Sequence, residues 1–278
     1  MEFRFNGQVF DPDQGCKLPP EAWAWLNREG AFTDPKLSEF AAPFPPANLM
    51  SNVSGLVSER DFASHGADFW LALSNLAPRP LAQFWSILDF GCGCGRLGRM
   101  FKGHPGHVHG CDIDARHINW VRQYLSFYDA QLTQPDASLP YSDGKFDLIV
   151  SISILTHLSE YSQDLLLGEL HRITQKAGLL MLTIHGERAM ERAVNETRIY
   201  DMINVDRQRF ERAKGRFDAG EHAFVLQEGH LTAANFQYGI TFIPRAYVSS
   251  HWSKWFHIER HASGALHDFQ DVIVLRPR

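Results

Sequence analysis

The sequence predicts a doubly wound α/β fold with a mainly parallel sheet, an N-terminal arm and an inserted lid. Between Trp85 and Ile184, short apolar runs alternate with helical stretches of about 10 to 15 residues, the spacing of parallel βαβ units. One of these runs, Ile87-Leu88-Asp89-Phe90, leads into Gly91-Cys92-Gly93-Cys94-Gly95, a turn whose alternating glycines let the backbone bend tightly and approach a ligand. On both sides of this region the alternation is lost, which marks the flanks as additions to the sheet.

Residues 1–47 are rich in aromatics and broken by Pro19-Pro20, Pro35, Pro43 and Pro45-Pro46, so they read as an irregular arm. Phe62, Phe69, Trp70 and Leu73 recur at helical spacing between Glu59 and Leu76, and Pro78 ends that helix. Residues 1–80 are therefore an arm and cap helix. In residues 81–185 we expect a strand at Trp85 to Phe90, a helix at Arg96 to Phe101, a strand at His107 to Asp112 and a helix at Ala115 to Tyr128. A weak strand starting near Leu132 follows, then a strand at Phe146 to Ser151, a helix at Leu165 to Ile173 and a strand at Gly178 to Ile184. This is the cofactor-binding core, because doubly wound sheets bind ligands at the carboxyl ends of their strands. Residues 186–250 hold a charged helical segment, Glu187 to Arg216, and a glycine-punctuated stretch, Gly220 to Gly239, and read as a lid or substrate-binding insertion. In residues 251–278, strands at Phe256 to His261 and Asp271 to Leu275, joined by a turn containing Gly264, complete the core sheet.

With 278 residues, 44% of them hydrophobic, the chain can bury a large core. The net charge of −5 and the interleaving of acids and bases leave no basic patch for a phosphate backbone, which argues against a nucleic-acid partner. No run approaches the roughly 18 apolar residues of a membrane span, and the first residues lack a signal-peptide pattern. Cys16, Cys92, Cys94 and Cys111 are too unevenly placed for a disulfide framework, so a cytoplasmic location is expected. His107, His109 and Cys111, with His104 nearby, place ligand-type side chains along one strand, but both faces of a central parallel strand are normally covered by helices. No metal is therefore expected there. Cys92 and Cys94 read as small residues fitting a tight bend.

The order of the motifs carries the chemistry. After the glycine turn, in which Asp89 stands two residues before Gly91, the second strand ends in Gly110-Cys111-Asp112-Ile113-Asp114. Pro135-Asp136-Ala137 opens a segment leading into Phe146-Asp147-Leu148-Ile149, and Ser151 to Leu158 follows that strand. The G-x-G-x-G spacing differs from the dinucleotide fingerprint G-x-G-x-x-G. Over about residues 85–185 this series resembles the class I S-adenosylmethionine-dependent methyltransferases, which implies a Rossmann-like methyltransferase fold and S-adenosylmethionine as cofactor. The resemblance places Asp89 near the methionine amino group, and Gly91, Cys92 and Gly93 beside the amino-acid moiety. It has Asp112 accept the ribose hydroxyls and Ile113 pack on the adenine. By the same resemblance Asp136 accepts from the adenine amino group, the Ala137 amide serves a ring nitrogen, and Ser151 opens the segment facing the transferred methyl. Asp114 is placed to cap the next helix. The Asn/Asp-Pro-Pro-aromatic motif of base-methylating relatives is replaced by Ser151-Ile152-Ser153-Ile154.

The expected reaction is methyl transfer to an oxygen or nitrogen of a small molecule. The terminal Gln270 to Leu275 run and Thr156-His157-Leu158 resemble bacterial enzymes acting on glycans, sugar nucleotides or secondary metabolites. A hydroxyl acceptor benefits from a base, and histidine suits neutral pH. His157 and His185 follow the strands at the substrate edge, and His230, like His222, lies in the lid. Each is also readable as a packing residue, as are Tyr238, Trp252 and Trp255, candidates for an apolar wall. Two other readings stand beside this one: a cofactor-binding regulatory or scaffold module without turnover, and an NAD-type oxidoreductase, which the glycine spacing disfavours.

Overall fold

The chain divides into two units, Met1–Thr133 and Gln134–Arg278, and the computed structural model describes residues 1–227 and 237–278. In the first unit, β1 (Phe3–Phe5) and β2 (Gln8–Phe10) form an antiparallel hairpin, reversed at Asn6 and Gly7, both left-handed. The arm differs from the irregular segment expected. Pro12, Pro20 and Pro35 each stand in the first turn of a short helix, where a missing N–H leaves no bond unmade. Proline here starts elements rather than breaking them.

The helix Glu59–Leu76 has the bounds the sequence predicts, with the Ser58 hydroxyl accepting from the Asp61 amide and Phe62, Phe69, Trp70 and Leu73 buried. The arm is tied to residues 99–102. Trp23 Nε1 donates to the Met100 carbonyl at 2.7 Å, the Cys16 amide donates to the Lys102 carbonyl at 2.9 Å, and Arg99 donates to the Ala42 carbonyl.

Three parallel strands follow: β3 (Ser86–Phe90), β4 (His107–Asp112) and β5 (Tyr128–Leu132). Two expectations are corrected here. The helix after β4 runs only from Ala115 to Tyr124, so Tyr128 opens β5 and Leu132 ends it. In place of a helix from Arg96, a 3-10 turn spans Gly98–Phe101. A Cβ on Gly98 would lie 2.8 Å from the Tyr128 ring, so this position takes no side chain, while Arg99, Met100 and Phe101 beyond it are buried.

In the second unit, β6 (Phe146–Ser151) pairs in parallel with β7 (Thr174–Ile184). The helix between them, Glu160–Ile173, starts earlier than expected because the Ser159 hydroxyl caps it. The insertion contains helices Glu187–Asn195, Thr197–Ile203 and Arg207–Asp218, then β8 (Ala223–Leu226) paired with β9 (Gly239–Phe242), and a helix Arg245–His251. It has its own apolar core, which includes Met190, Ile203, Phe210, Phe217, Val225 and Phe242. β10 (Phe256–Leu266) and β11 (Gln270–Pro277) pair antiparallel, and β11 pairs antiparallel with β7. Gly264 lies inside β10 at an irregularity in the ladder, not in the turn as expected. The reversal uses His267 and Asp268, both at positive φ.

Helix-linked parallel strands with an antiparallel pair at the C-terminus make this a doubly wound, mainly parallel α/β fold. Among the described residues, no helix is long and apolar enough to cross a membrane.

Candidate cofactor and acceptor site

The glycine turn takes its shape from three left-handed residues: Gly91, Gly93 and Gly95 have φ of 74°, 52° and 84°, values that L side chains rarely adopt. The turn folds back on the end of β4. The Gly91 and Cys92 amides donate to the Cys111 carbonyl at 2.9 and 3.0 Å, and the Gly93 amide donates to Asp112 Oδ2 at 2.8 Å. Asp112 Oδ1 accepts the Asp114 amide at 2.9 Å, while Asp114 caps the next helix by accepting from the Arg116 amide. One carboxylate thus joins the glycine turn to the start of a helix. Each of its oxygens keeps acceptor capacity, and its side chain is 13% exposed. Ile113, the next residue, presents an exposed apolar side chain.

Beneath the turn, Asp89 is buried and accepts the Tyr128 hydroxyl at 2.9 Å. Burial pushes its pKa up to about 7; the Tyr128 hydrogen bond opposes the shift and the Asp112 charge adds to it. Tyr128 is the residue that sequence reasoning missed. A Cβ on Gly110 would lie 2.5 Å from its ring, so a glycine inside a strand, which marks close approach of another group, was the available signal. Cys92, Cys94 and Cys111 are buried and form no disulfide among the described residues, and burial raises the Cys94 thiol to about 12. His109 Nδ1 lies 3.0 Å from Asp129 Oδ2, and His107 sits edge-on to Trp85.

In the second unit, Asp136 is exposed with a left-handed φ of 53°, followed by an exposed Ala137. The segment after them is held by Glu169, which accepts the Leu139 amide at 2.7 Å, and by Arg172, which donates to the Leu139 and Tyr141 carbonyls. Ser151 is buried at the end of β6, its hydroxyl without a partner among the described residues. Two residues on, Ser153 adopts φ 61°, and its amide donates to Thr183 Oγ1 at 2.8 Å.

The histidine candidates separate. His157 Nδ1 lies 2.7 Å from the Gly239 carbonyl and its ring stacks on Tyr238 with centroids 4.6 Å apart. A carbonyl only accepts, so Nδ1 carries the proton and Nε2 is the basic nitrogen. His185 makes the same kind of bond to the Thr241 carbonyl at 3.1 Å, but its burial, helped by nearby His157, lowers its pKa to about 3. That leaves it a weak base, and its ring packs against Phe242 and Phe269. His222 is also buried, with a pKa lowered to about 4 by burial. Trp252 is fully buried and belongs to the core instead of a pocket wall, whereas Trp255 is partly exposed. His230 lies outside the described residues.

A glycine turn at one strand end, tied to an acid at the next on a doubly wound sheet, is an arrangement that α/β folds use to hold cofactors. Residues 87–178 match the family described as a methyltransferase domain. The match to a methyltransferase domain runs from β3 into β7. Among solved structures, the fold is similar to that of the PH0226 protein of Pyrococcus horikoshii, at 15% identity over 75% of this chain and 89% of that one, with a TM-score of 0.55. It is also similar to an S-adenosylmethionine-dependent methyltransferase of Mesorhizobium loti, at 15% identity over 76% and 98% of the two chains and a TM-score of 0.52.

Proposed function

We propose that this chain transfers a methyl group from S-adenosylmethionine to an oxygen or nitrogen of a small molecule by in-line displacement, the acceptor being a glycan, sugar nucleotide or secondary metabolite. The observation that carries the reading is the Asp112 carboxylate, which holds the Gly93 and Asp114 amides and still has acceptor capacity for two hydroxyl groups. The left-handed glycines beside it and the exposed Ile113 fit the amino-acid and adenine ends of the same cofactor. Bound there, S-adenosylmethionine supplies an electrophilic methyl group on a sulfonium.

In this reading Asp112 orients the ribose, Asp89 faces the amino group, and Asp136 and the Ala137 amide recognise the adenine edge. Displacement from a sulfonium needs alignment and exclusion of water more than covalent help. Residues 186–250 serve as the acceptor-binding lid or insertion and residues 81–185 as the cofactor-binding core, with residues 1–80 as the arm and 251–278 as the final strands. His157 is our candidate base for a hydroxyl acceptor: its Nδ1–H is held by the Gly239 carbonyl, which aims a basic Nε2 away from that bond. The net charge of −5 supports a small acceptor over a nucleic acid, and four buried cysteines outside disulfides support a cytoplasmic location.

The test is calorimetry with S-adenosylhomocysteine and NAD, followed by a mass-spectrometric search for singly methylated products across hydroxylated and amino small molecules. Binding of S-adenosylhomocysteine but not NAD, with a methylated product, is expected. No binding of S-adenosylhomocysteine at millimolar concentration refutes the proposal.

A further inference from the structure

We propose that Glu187, His261 and Asp271 form a binding site for one divalent transition-metal ion, placed beyond the carboxyl end of β7. Asp271 pairs with Ile184 at that end, and its carboxylate is fully buried. One oxygen lies 2.7 Å from His261 Nε2 and the other accepts the Gly264 amide at 2.8 Å. Gly186 passes so close that a Cβ there would lie 2.1 Å from Asp271 Oδ2. The next residue, Glu187, opens the helix Glu187–Asn195 and is exposed. Its Oε1 accepts the Arg245 amide at 2.7 Å, and Oε2 has no hydrogen-bond partner among the described residues.

Each of the three residues offers one donor atom, and these atoms lie within 4.8 Å of one another. The donor set is one imidazole nitrogen and two carboxylate oxygens, which suits zinc, manganese or iron, whereas calcium and magnesium prefer oxygen alone. Two of the ligands stand on β10 and β11, which pair directly, so their backbones are fixed before any ion arrives. Zinc bonds to nitrogen and oxygen are about 2.0 to 2.2 Å long. Binding therefore asks the His261–Asp271 contact to open slightly and the exposed Glu187 side chain to swing inward. Three protein ligands leave positions for water or for an oxygen of another molecule. The competing arrangement is a metal-free pair in which His261 and Asp271 only tie β10 to β11.

The site is independent of the cofactor reading, and the experiment keeps the two apart. The full chain, freed of metal with a chelator, is titrated with Zn²⁺ by calorimetry beside the E187Q and H261A variants. E187Q keeps an amide oxygen for the Arg245 amide and loses the charge. We expect one saturable Zn²⁺ per chain, with affinity reduced at least roughly tenfold in each variant. Zn²⁺ should raise the melting temperature of the parent more than that of E187Q, while S-adenosylhomocysteine affinity stays the same in all three. Absence of saturable Zn²⁺ binding by the parent overturns the proposal. So does equal affinity in E187Q and H261A, which would assign the ion to others of the 14 histidines. If H261A fails to fold, E187Q alone decides.

Discussion

Replacing Asp112 with alanine should lower both stability and cofactor affinity, and the two effects have separate origins in the structure. The carboxylate accepts the Gly93 amide at 2.8 Å and the Asp114 amide at 2.9 Å. Hydrogen bonds to a charged group are worth about 1.5 to 3 kcal/mol each. Because the side chain is 13% exposed, water can reach the freed amides, so we expect a net loss of about 1 to 3 kcal/mol. For a chain of this size each kcal/mol shifts the melting temperature by about 2 to 4 °C. With the cofactor placed as proposed, the ribose hydroxyls would lose their acceptor as well, costing at least about tenfold in affinity for S-adenosylhomocysteine. Asp112→Asn should fall between the parent and alanine, since its amide oxygen still accepts one bond while its nitrogen meets the other N–H donor. Differential scanning calorimetry and isothermal titration with S-adenosylhomocysteine read the two quantities. An Asp112→Ala protein with the parent's melting temperature and affinity would refute both the structural role and the placement of the ribose.

Asp89, with a folded pKa raised by burial to about 7 against about 3.9 in an unfolded chain, holds a proton that the unfolded chain releases between those values. Its contribution to stability is thus present below about pH 4 and lost as pH rises toward 7, and Asp89→Asn should show a smaller drop in melting temperature from pH 5 to pH 7 than the parent. His157→Ala should reduce turnover of a hydroxyl acceptor by about 100- to 10,000-fold with unchanged S-adenosylhomocysteine affinity; turnover near the parent's would remove His157 as the base. His185→Ala, by contrast, empties a buried site against Phe242 and Phe269 and should cost about 2 to 4 kcal/mol in denaturant unfolding. Gly93→Ala combines a left-handed φ of 52° with a Cβ placed 2.8 Å from Val53 Cγ2. It should cost about 1 to 3 kcal/mol, with Val53→Ala restoring the steric part in a double-mutant cycle.

What the amino-acid sequence determined by itself was local and periodic. Strand runs such as His107–Asp112 and Phe146–Ser151 and the helix Glu59–Leu76 were legible to the residue, because apolar periodicity and flanking turn residues act over a few positions. The glycines of the turn and the cap at Asp114 were legible for the same reason: backbone conformation and capping are short-range. Tertiary structure decided the rest. Tyr128 read as the end of a helix until the space left by Gly98 and Gly110 showed where its ring sits, and the segment expected as a helix from Arg96 to Phe101 forms only a 3-10 turn at Gly98–Phe101. Prolines that looked like breakers became helix starts, since that role depends on where the chain turns next. Among the histidines, sequence supplied only the residue type. Burial made His185 a weak base, and a carbonyl on a distant strand set the tautomer of His157. The pairing of His261 with Asp271 came from the antiparallel return of β11 along β10. Desolvation and long-range hydrogen bonding depend on which segments the fold packs together, and no window of sequence contains that information.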